Sequence, residues 1–239
     1  MKLTLIALRT VKYNDRHNIL TGYSRECGRV GLLVPAGASR EARRRRALLM
    51  PLSVAEVVAT SPRGGDLLGI ADISPVMPQA SLTSHPVKAL TALFIAEFLG
   101  IVLKERQGDD ALFAYLVDSI ASLEHITAAE DIASFHIAFL MRLARYLGVE
   151  PDYSTYREGR VFDIVDGVFR DTPPAHGRFI PASEASALAS LSRITPFTAG
   201  VYKLSRAQRN TITDMILAYY SIHHAPCSSL TSLGVLRAL

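Results

Sequence analysis

The sequence has very little cysteine. Cys27 and Cys227 are the only two in a chain of 239 residues, and they stand at opposite ends of it. Two such residues cannot build the disulfide framework of a small secreted protein, and no C-x-x-C pair suggests a zinc or redox motif. The scarcity of cysteine favours a protein of the reducing cytoplasm.

A long apolar run is also missing. The most apolar stretch, residues 89–103, is interrupted by Glu97 and falls short of the roughly 20 apolar residues that cross a bilayer. The N-terminal stretch meets Arg9 and Lys12 too soon to be a signal peptide. We expect no membrane association and a cytoplasmic, nucleoid-associated location.

The usual catalytic motifs are absent as well. There is no G-x-S-x-G stretch, and the glycine-rich segment 28–37 lacks the closing Gly-Lys-Ser/Thr of a phosphate-binding loop. The carboxylates are scattered, with no pair that suggests a general acid and base. We therefore expect no catalytic residues and no enzyme, although an unrecognised enzyme that uses residues 152–181 remains an alternative.

A metal site is not indicated either. His223 and His224 lie close to Cys227, but adjacent helical residues point about 100° apart and rarely ligate one ion. His136, on an apolar helix, is expected to be a core or interface histidine. The sequence predicts no metal and no cofactor.

The charge that is present is unevenly distributed. Residues 1–80 contain 12 Lys/Arg and 6 Asp/Glu, a net of +6, whereas residues 81–239 contain 14 and 16, a net of −2. The hydrophobic fraction of 49% and the charged fraction of 20% are those of a globular chain. A basic first third suggests that the N-terminal part faces a polyanion.

Short, partly alternating apolar segments fill the first third. The predicted strands cover residues 3–8, 18–23, 29–34, 52–59 and 67–73, with a turn at 61–66 after the fourth. Five strands at this spacing suit a small barrel such as the oligonucleotide-binding (OB) fold. We assign residues 1–80 to an OB-fold nucleic-acid-binding domain.

Helical periodicity replaces the strand pattern after residue 80. The predicted helices cover residues 87–106, 109–126, 130–147, 181–194, 205–223 and 229–239. A loop-rich insertion at 152–181 contains a hairpin signal at Asp166-Gly167. The predicted fold class is α+β, with a five-stranded OB-type barrel at residues 1–80 followed by a helical bundle domain at 81–239.

The most unusual segment is GASREARRRRALLMPL at residues 37–52, placed between the third and fourth predicted strands. An arginine fork matches phosphate oxygens and keeps its charge at physiological pH. Five arginines on a loop could neutralise about five phosphates, a log-log salt slope of roughly −3.5 on single strands. Aromatic rings on the early strands could stack on bases. A solvated basic loop or a localisation signal remains an alternative.

Several segments together resemble the RecO family of bacterial DNA repair and recombination mediators. They are KY (12–13), YSRECGR (23–29), LVPAGASR (33–40), MPL (50–52), FIAEFL (94–99), DALF (110–113), FHIAFLMRLARYLGVEP (135–151), LAYYSIH (217–223) and LTSLGVL (230–236). The likeness extends over most of the chain in the family's order. Two departures stand out: residues 152–181 lack the four cysteines of the family's frequent zinc module, and Thr231 stands where relatives often have lysine.

The resemblance implies an activity without bond-breaking chemistry. Members of the family bind single- and double-stranded DNA, anneal complementary strands and, together with RecR, help to place RecA on DNA coated with single-stranded-DNA-binding protein (SSB). The expected partners are therefore DNA, RecR and SSB, with RecA reached indirectly. The expected DNA-binding residues are Arg29, Arg40, Arg43, Arg44, Arg45, Arg46, Tyr13 and Tyr23.

The acidic, apolar tail of SSB would need a hydrophobic groove edged by cations. Arg142 and Arg145, one turn apart on the predicted 130–147 helix, are the expected edge of that groove, with a solvated helix face as the alternative. A second hypothesis for the whole chain is a protein-interaction scaffold that binds SSB or RecR and holds DNA only indirectly.

Overall fold

The computed structural model describes residues 1–61 and 67–238. The chain divides into two compact units, residues 1–125 and 126–239. The turn predicted at 61–66 lies, apart from Ser61, outside the described residues.

A closed five-stranded barrel forms the core of the first unit. Its strands are β1 (Lys2–Lys12), β2 (His17–Ser24), β3 (Gly28–Pro35), β4 (Val54–Thr60) and β5 (Leu68–Pro75). They follow one another around the barrel in the order β1-β2-β3-β5-β4, with β1 closing on β4. Only the β3–β5 pair is parallel. This is the topology of an OB-type barrel, so the predicted fold class is confirmed.

Alternation of side chains explains why these segments form a barrel. Leu3, Leu5 and Ala7 of β1 are fully buried and pack on Leu20 of β2 and Leu32 of β3. Successive side chains of a strand point to opposite faces, so every second apolar residue fills the interior. The β1–β2 register shifts by one residue between Ala7 and Arg9, and beyond that bulge β1 is exposed. The far end of the β1–β2 hairpin therefore projects into solvent.

Four helices accompany the barrel within the first unit. They are α1 (Arg40–Ala47), α2 (Ala80–Ser84), α3 (Pro86–Val102) and α4 (Asp110–His125). The apolar residues around α3 predict a buried helix, and nine of its residues are buried. The Arg29 guanidinium donates to the carbonyls of Gly100 and Leu103, at 2.7 and 2.9 Å, and so satisfies the C-terminal end of α3.

The second unit is mostly helical, with a small sheet inserted. It contains α5 (Ala129–Tyr146), β6 (Val161–Asp163), β7 (Val168–Arg170), β8 (Phe179–Ile180), α6 (Ala182–Ser190), α7 (Arg206–His223) and α8 (Leu233–Leu236). The sheet order is β7-β6-β8. The hairpin predicted at Asp166-Gly167 is confirmed: Gly167 has a φ of +70° and its N–H donates to the Asp163 carbonyl at 2.9 Å.

The sequence-based boundary at residue 80 and the boundary of the compact units differ. The change from strand to helix occurs near residue 80, but α2 to α4 belong to the same unit as the barrel. The Tyr23 ring of β2, for example, stacks on Phe113 of α4 with ring centroids 6.4 Å apart. The short helix α2 has no counterpart among the predictions.

Candidate nucleic-acid interface

The arginine-rich segment is a helix. The prediction that it is a loop is wrong, and the local chemistry gives the reason. The Ser39 hydroxyl caps the N-terminus of α1 by accepting the N–H of Ala42 at 3.1 Å, and Glu41 pairs with Arg45 one turn later at 3.0 Å. Arginine and alanine also have high intrinsic helix propensity. The buried Ala42 side chain fixes which face of α1 turns inward.

Two of the arginines are held by the protein itself. Arg45 donates to the carbonyls of Ile70 and Ala71 on β5, at 3.1 and 3.3 Å. Arg46 donates to the carbonyls of Ala36 and Gly37, at 3.2 and 2.6 Å, in the segment that connects β3 to α1. Both side chains therefore fasten α1 to the barrel.

The other three arginines face solvent. Arg40, Arg43 and Arg44 are exposed and recur with a spacing of three to four, so they share one face of α1. The Arg44 side chain is 63% exposed, against 21% for Arg45, and has only a long 3.7 Å contact with Glu41. Among the described residues, Arg40 and Arg43 make no ion pair. We call Arg40, Arg43 and Arg44 the α1 arginine face.

The two candidate stacking tyrosines differ sharply. Tyr13 is 59% exposed at the end of the β1–β2 hairpin, where its ring is open to a ligand. Tyr23 is 3% exposed, and burial together with Asp109 raises the pKa of its hydroxyl. A ring packed in this way has no face to offer to a base.

The β1–β2 hairpin lies beside the connection to α1. The Arg16 carbonyl accepts the N–H of Ala36 at 2.9 Å, and the Ala36 carbonyl accepts Arg46. The Asn14 side chain orders the turn by accepting the N–H groups of Arg16 and His17. The structure thus adds the exposed Arg16, a residue missed because a single basic residue in a turn carries no sequence signal.

Arg142 and Arg145 lie on α5, half-buried and exposed respectively. Their neighbours Met141 and Ala144 line an apolar cavity of about 30 Å³, which we call the α5 cavity. The other lining residues come from α5 itself, the segment 151–162, α6 and α7, and are Leu140, Pro151, Tyr153, Phe162, Leu188, Met215, Ile216, Tyr219 and Tyr220. Neither arginine is among the lining residues, although each follows one of them in sequence.

Contacts between charged side chains hold together the insertion at 152–181, which contains no cysteine. The Asp163 side chain is 1% exposed and contacts Arg170 at 2.8 Å and His176 at 3.2 Å; we call these three residues the hairpin clasp. Burial alone would raise the Asp163 pKa, but the N–H groups of Asp166 and Val165 and the Arg170 guanidinium outweigh it, so the pKa is lowered. An isolated pair of Asp and Gly marks only the turn in sequence, and the clasp itself was missed.

The structure also locates the histidine and cysteine side chains that could bind a metal. Within residues 1–61 and 67–238, the structure brings no three His, Cys, Asp or Glu side chains into a metal-binding group. His223 contacts the Ile164 carbonyl at 2.7 Å, and burial raises the pKa of the Cys227 thiol. Nor is any helix of the described residues apolar and long enough to cross a membrane.

A closed barrel of this topology places the first unit in the OB-fold class, to which many oligonucleotide-binding domains belong. Comparison with known proteins makes the assignment specific. The family model for the N-terminal part of recombination protein O matches residues 1–78, and the model for its C-terminal part matches residues 84–228. The chain belongs to the RecO family of DNA repair proteins, as the resemblance predicted.

Curated relatives extend over nearly the whole chain. The DNA repair protein RecO of Phocaeicola vulgatus is 36% identical over 98% of this chain and 96% of its own length. The proteins of the same name from Porphyromonas gingivalis and Bacteroides fragilis are 35% and 34% identical, again over 98% of this chain and 96% of theirs.

Proposed function

We propose that this chain is a DNA-binding recombination mediator that works without bond-breaking chemistry. It would anneal complementary strands and, together with RecR, help to load RecA onto single-stranded DNA coated with SSB, in the bacterial cytoplasm at the nucleoid. Family membership supports the role in DNA repair. The arrangement of α1 supports the mode of DNA binding.

The observation that carries the proposal is the division of labour within α1. Arg45 and Arg46 donate hydrogen bonds to carbonyls of the barrel and its connections. By contrast, the guanidinium groups of the α1 arginine face are exposed to solvent. A guanidinium without a protein carboxylate keeps its fork free for phosphate oxygens. The proposed phosphate-binding residues are therefore three of the five arginines of this segment, those of the α1 arginine face.

The β1–β2 hairpin extends this surface. Tyr13 offers an exposed ring, and Arg16 lies one backbone hydrogen bond from the connection that leads into α1. A cationic track beside an exposed aromatic ring is how proteins hold single strands without reading sequence. Arg29 and Tyr23 leave the proposed contact set, because one is bound to the end of α3 and the other is buried.

Annealing follows from the same electrostatics. Two DNA strands repel each other through their phosphates, and a surface that neutralises part of that charge lowers the cost of bringing them together. No proton transfer and no covalent intermediate is needed, so the proposed activity requires no catalytic residue.

The test uses fluorescence anisotropy with a labelled dT oligonucleotide. We expect the variant Arg40→Ala/Arg43→Ala/Arg44→Ala to bind about tenfold more weakly or worse at low salt. The matched control removes three exposed arginines from the second unit, Arg157→Ala/Arg178→Ala/Arg193→Ala, and changes the net charge equally. Equal losses in the two variants would show that net charge alone matters and would refute the α1 site.

The α5 cavity supports a second candidate function, capture of the acidic, apolar SSB tail by the helical unit. Its volume of about 30 Å³ is too small for an aromatic side chain, but Met141 and Met215 line it and methionine side chains adapt readily. Arg142 and Arg145 would meet the acidic residues. An SSB tail peptide that binds the wild type and the Arg142→Ala/Arg145→Ala variant equally well would remove this site, whereas DNA binding should be the same in both.

A further inference from the structure

A second, polar cavity lies in the second unit, at the N-terminal end of α7. We call it the α7 cavity. Its volume is about 270 Å³, and it is enclosed by the first turns of α5, the segment 199–205 and the start of α7. The lining residues are Glu130, Ser134, Gly200, Tyr202, Lys203, Leu204, Ser205 and Arg209. None of them belongs to the α1 arginine face or to the α5 cavity.

Ser134 is the unusual member of this lining. It is 2% exposed, and its hydroxyl makes no hydrogen bond within the part of the chain that the structure describes. A helical serine commonly bonds the carbonyl four residues back, as Ser119 does with Tyr115 at 2.7 Å. The hydroxyl borders the α7 cavity, so a group within that space can accept its hydrogen bond. The α7 cavity is the space that Ser134 lines, so a ligand there is the natural partner.

The charges around the α7 cavity favour an anion. Glu130 and Lys203 form an ion pair at 2.9 Å and largely offset each other. Arg209 is half-buried and donates to the Leu204 carbonyl at 2.9 Å. Burial, and to a smaller extent the neighbouring Arg206, lower the pKa of Arg209. The first turn of α7 adds the positive end of an 18-residue helix.

One carboxylate works against an anion. Asp131 lies so close to the backbone at Gly200 that a Cβ there would meet its Oδ1 at 1.9 Å. This contact explains why residue 200 is a glycine, since any side chain would displace the segment that walls the cavity. Asp131 is not among the lining residues, and its charge acts on Lys203, whose pKa it helps to raise.

We propose that the α7 cavity binds a phosphate group through the Ser134 hydroxyl, the Arg209 guanidinium and the start of α7. This goes beyond the proposed function, because it stands on residues of the second unit that have no part in the α1 site. A phosphate offers several acceptor oxygens, and the cavity offers hydroxyl donors to match them. The Ser205 hydroxyl already accepts the Gln208 N–H, so its own proton is available to donate.

The polar lining distinguishes phosphate from the acidic, apolar tail of a partner protein. A tail of that kind needs an apolar wall for its hydrophobic residues. Hydroxyl and charged groups make up most of the lining here, and Leu204 is its one large aliphatic side chain. The volume also accommodates more than a bare phosphate ion, so the phosphate could belong to a nucleotide or to a nucleic-acid backbone.

The experiment titrates the full chain with inorganic phosphate at constant ionic strength, with chloride as the reference anion, and follows binding by calorimetry. We expect Ser134→Ala to weaken phosphate binding about fivefold to tenfold, as for one charge-assisted hydrogen bond. The matched control is Ser186→Ala, a helical serine on α6 outside the cavity. The α1 variant should bind phosphate at this site as the wild type does, so the two proposals can fail separately.

Two further arms identify the source of the phosphate. If it is a nucleic-acid backbone, Ser134→Ala in the α1 variant weakens binding of a dT oligonucleotide further. If it is a free phosphate compound, that oligonucleotide is unaffected, while dTMP and inorganic phosphate lose affinity in parallel. The proposal is overturned if the wild type binds phosphate no better than chloride, if Ser134→Ala equals Ser186→Ala, or if an acidic peptide occupies the cavity in place of phosphate.

Discussion

Two arginines of the hairpin insertion pair with carboxylates of the chain, whereas most arginines of α1 do not. In the hairpin, Arg160 meets Asp171 through two bonds at 2.8 and 3.0 Å, and Arg170 meets the buried Asp163. In α1, Glu41 is the only acid: it pairs closely with Arg45 at 3.0 Å and only at 3.7 Å with Arg44, and Arg40 and Arg43 make no ion pair within the described residues.

The difference shows what decides the role of an arginine. Where the chain supplies a carboxylate or a backbone carbonyl, the guanidinium stabilises the fold, as Arg46 and Arg29 do through carbonyls alone. Where it supplies neither, the guanidinium faces solvent, and we propose that it binds an external anion. In the hairpin, whose strands are only two or three residues long, Arg170 of β7 pairs with Asp163 of β6. The barrel has a continuous apolar core, and Arg45 and Arg46 fasten α1 to it, so the position of α1 does not depend on Arg40, Arg43 and Arg44.

The largest expected effect comes from removing the carboxylate at the centre of the hairpin clasp. Asp163→Ala leaves two backbone N–H groups without their acceptor and leaves the Arg170 guanidinium with Asp166 as its carboxylate. We expect a loss of about 3 kcal/mol in the stability of the second unit. Urea unfolding followed by circular dichroism measures it. Asp171→Ala, whose carboxylate is 77% exposed, should cost much less, because exposed ion pairs contribute little to stability.

That prediction also separates the two regions, because DNA affinity should be unchanged in Asp163→Ala. If the oligonucleotide dissociated more readily from this variant, the hairpin arginines would have a part in DNA binding, and the contrast with α1 would be wrong.

Acid should open the hairpin and spare the charge of α1. The lowered Asp163 pKa means that the carboxylate binds its proton less readily in the folded than in the unfolded state. Its contribution to stability is therefore complete above the unfolded value of about 3.9 and is lost as the pH falls through the folded value. NMR of the Val165 and Asp166 amides should report loss of protection below about pH 4. Loss of protection that begins well above pH 4 would contradict the clasp.

A smaller effect is expected from the arginines that fasten α1. Arg45→Ala/Arg46→Ala removes their hydrogen bonds to barrel and connection carbonyls and should destabilise the first unit by about 1–2 kcal/mol. Urea unfolding of the full chain measures this loss of stability. The Arg40→Ala/Arg43→Ala/Arg44→Ala variant should unfold within about 0.5 kcal/mol of the wild type, as exposed substitutions do. If the Arg40→Ala/Arg43→Ala/Arg44→Ala variant lost more stability than the Arg45→Ala/Arg46→Ala variant, the α1 arginine face would be the part that fastens the helix, contrary to our assignment.

The smallest effect concerns the cap of α1. Ser39→Ala removes the hydroxyl that accepts the Ala42 N–H and should cost about 1 kcal/mol. Ser39→Asp retains an acceptor at this position, so it should restore the stability. A Ser39→Ala protein as stable as the wild type would mean that Arg45 and Arg46 alone hold the helix.

The barrel could be predicted because its information is local. Alternating apolar residues and polar turns mark β1 to β5 within a few residues, and the family resemblance agreed with them. The sequence also held the signals for α1, a Ser39 cap and a Glu41–Arg45 spacing, but four consecutive arginines were interpreted as a charge run. Local patterns were therefore sufficient to predict the strands of the barrel, but not the helix α1, whose arginines also fit a solvated basic loop.

The partners of each arginine could not be predicted, because they are distant in sequence. Arg45 finds its acceptors 25 and 26 residues away, and Arg29 finds its acceptors on α3 more than 70 residues later. Tyr23 looked like an exposed strand aromatic, and only the packing of Phe113 on it shows that it is core. Which side chains remain for a ligand depends on these long-range contacts.

The measurement that tests the central claim most directly is the salt dependence of DNA binding. For a dT oligonucleotide, each phosphate contact adds about 0.7 to the log-log slope, so losing three contacts should reduce its magnitude by about 2. We predict that reduction for Arg40→Ala/Arg43→Ala/Arg44→Ala, and a nearly unchanged slope for Arg45→Ala/Arg46→Ala. Equal reductions per arginine in the two variants would contradict the division of α1 into contacting and fastening arginines.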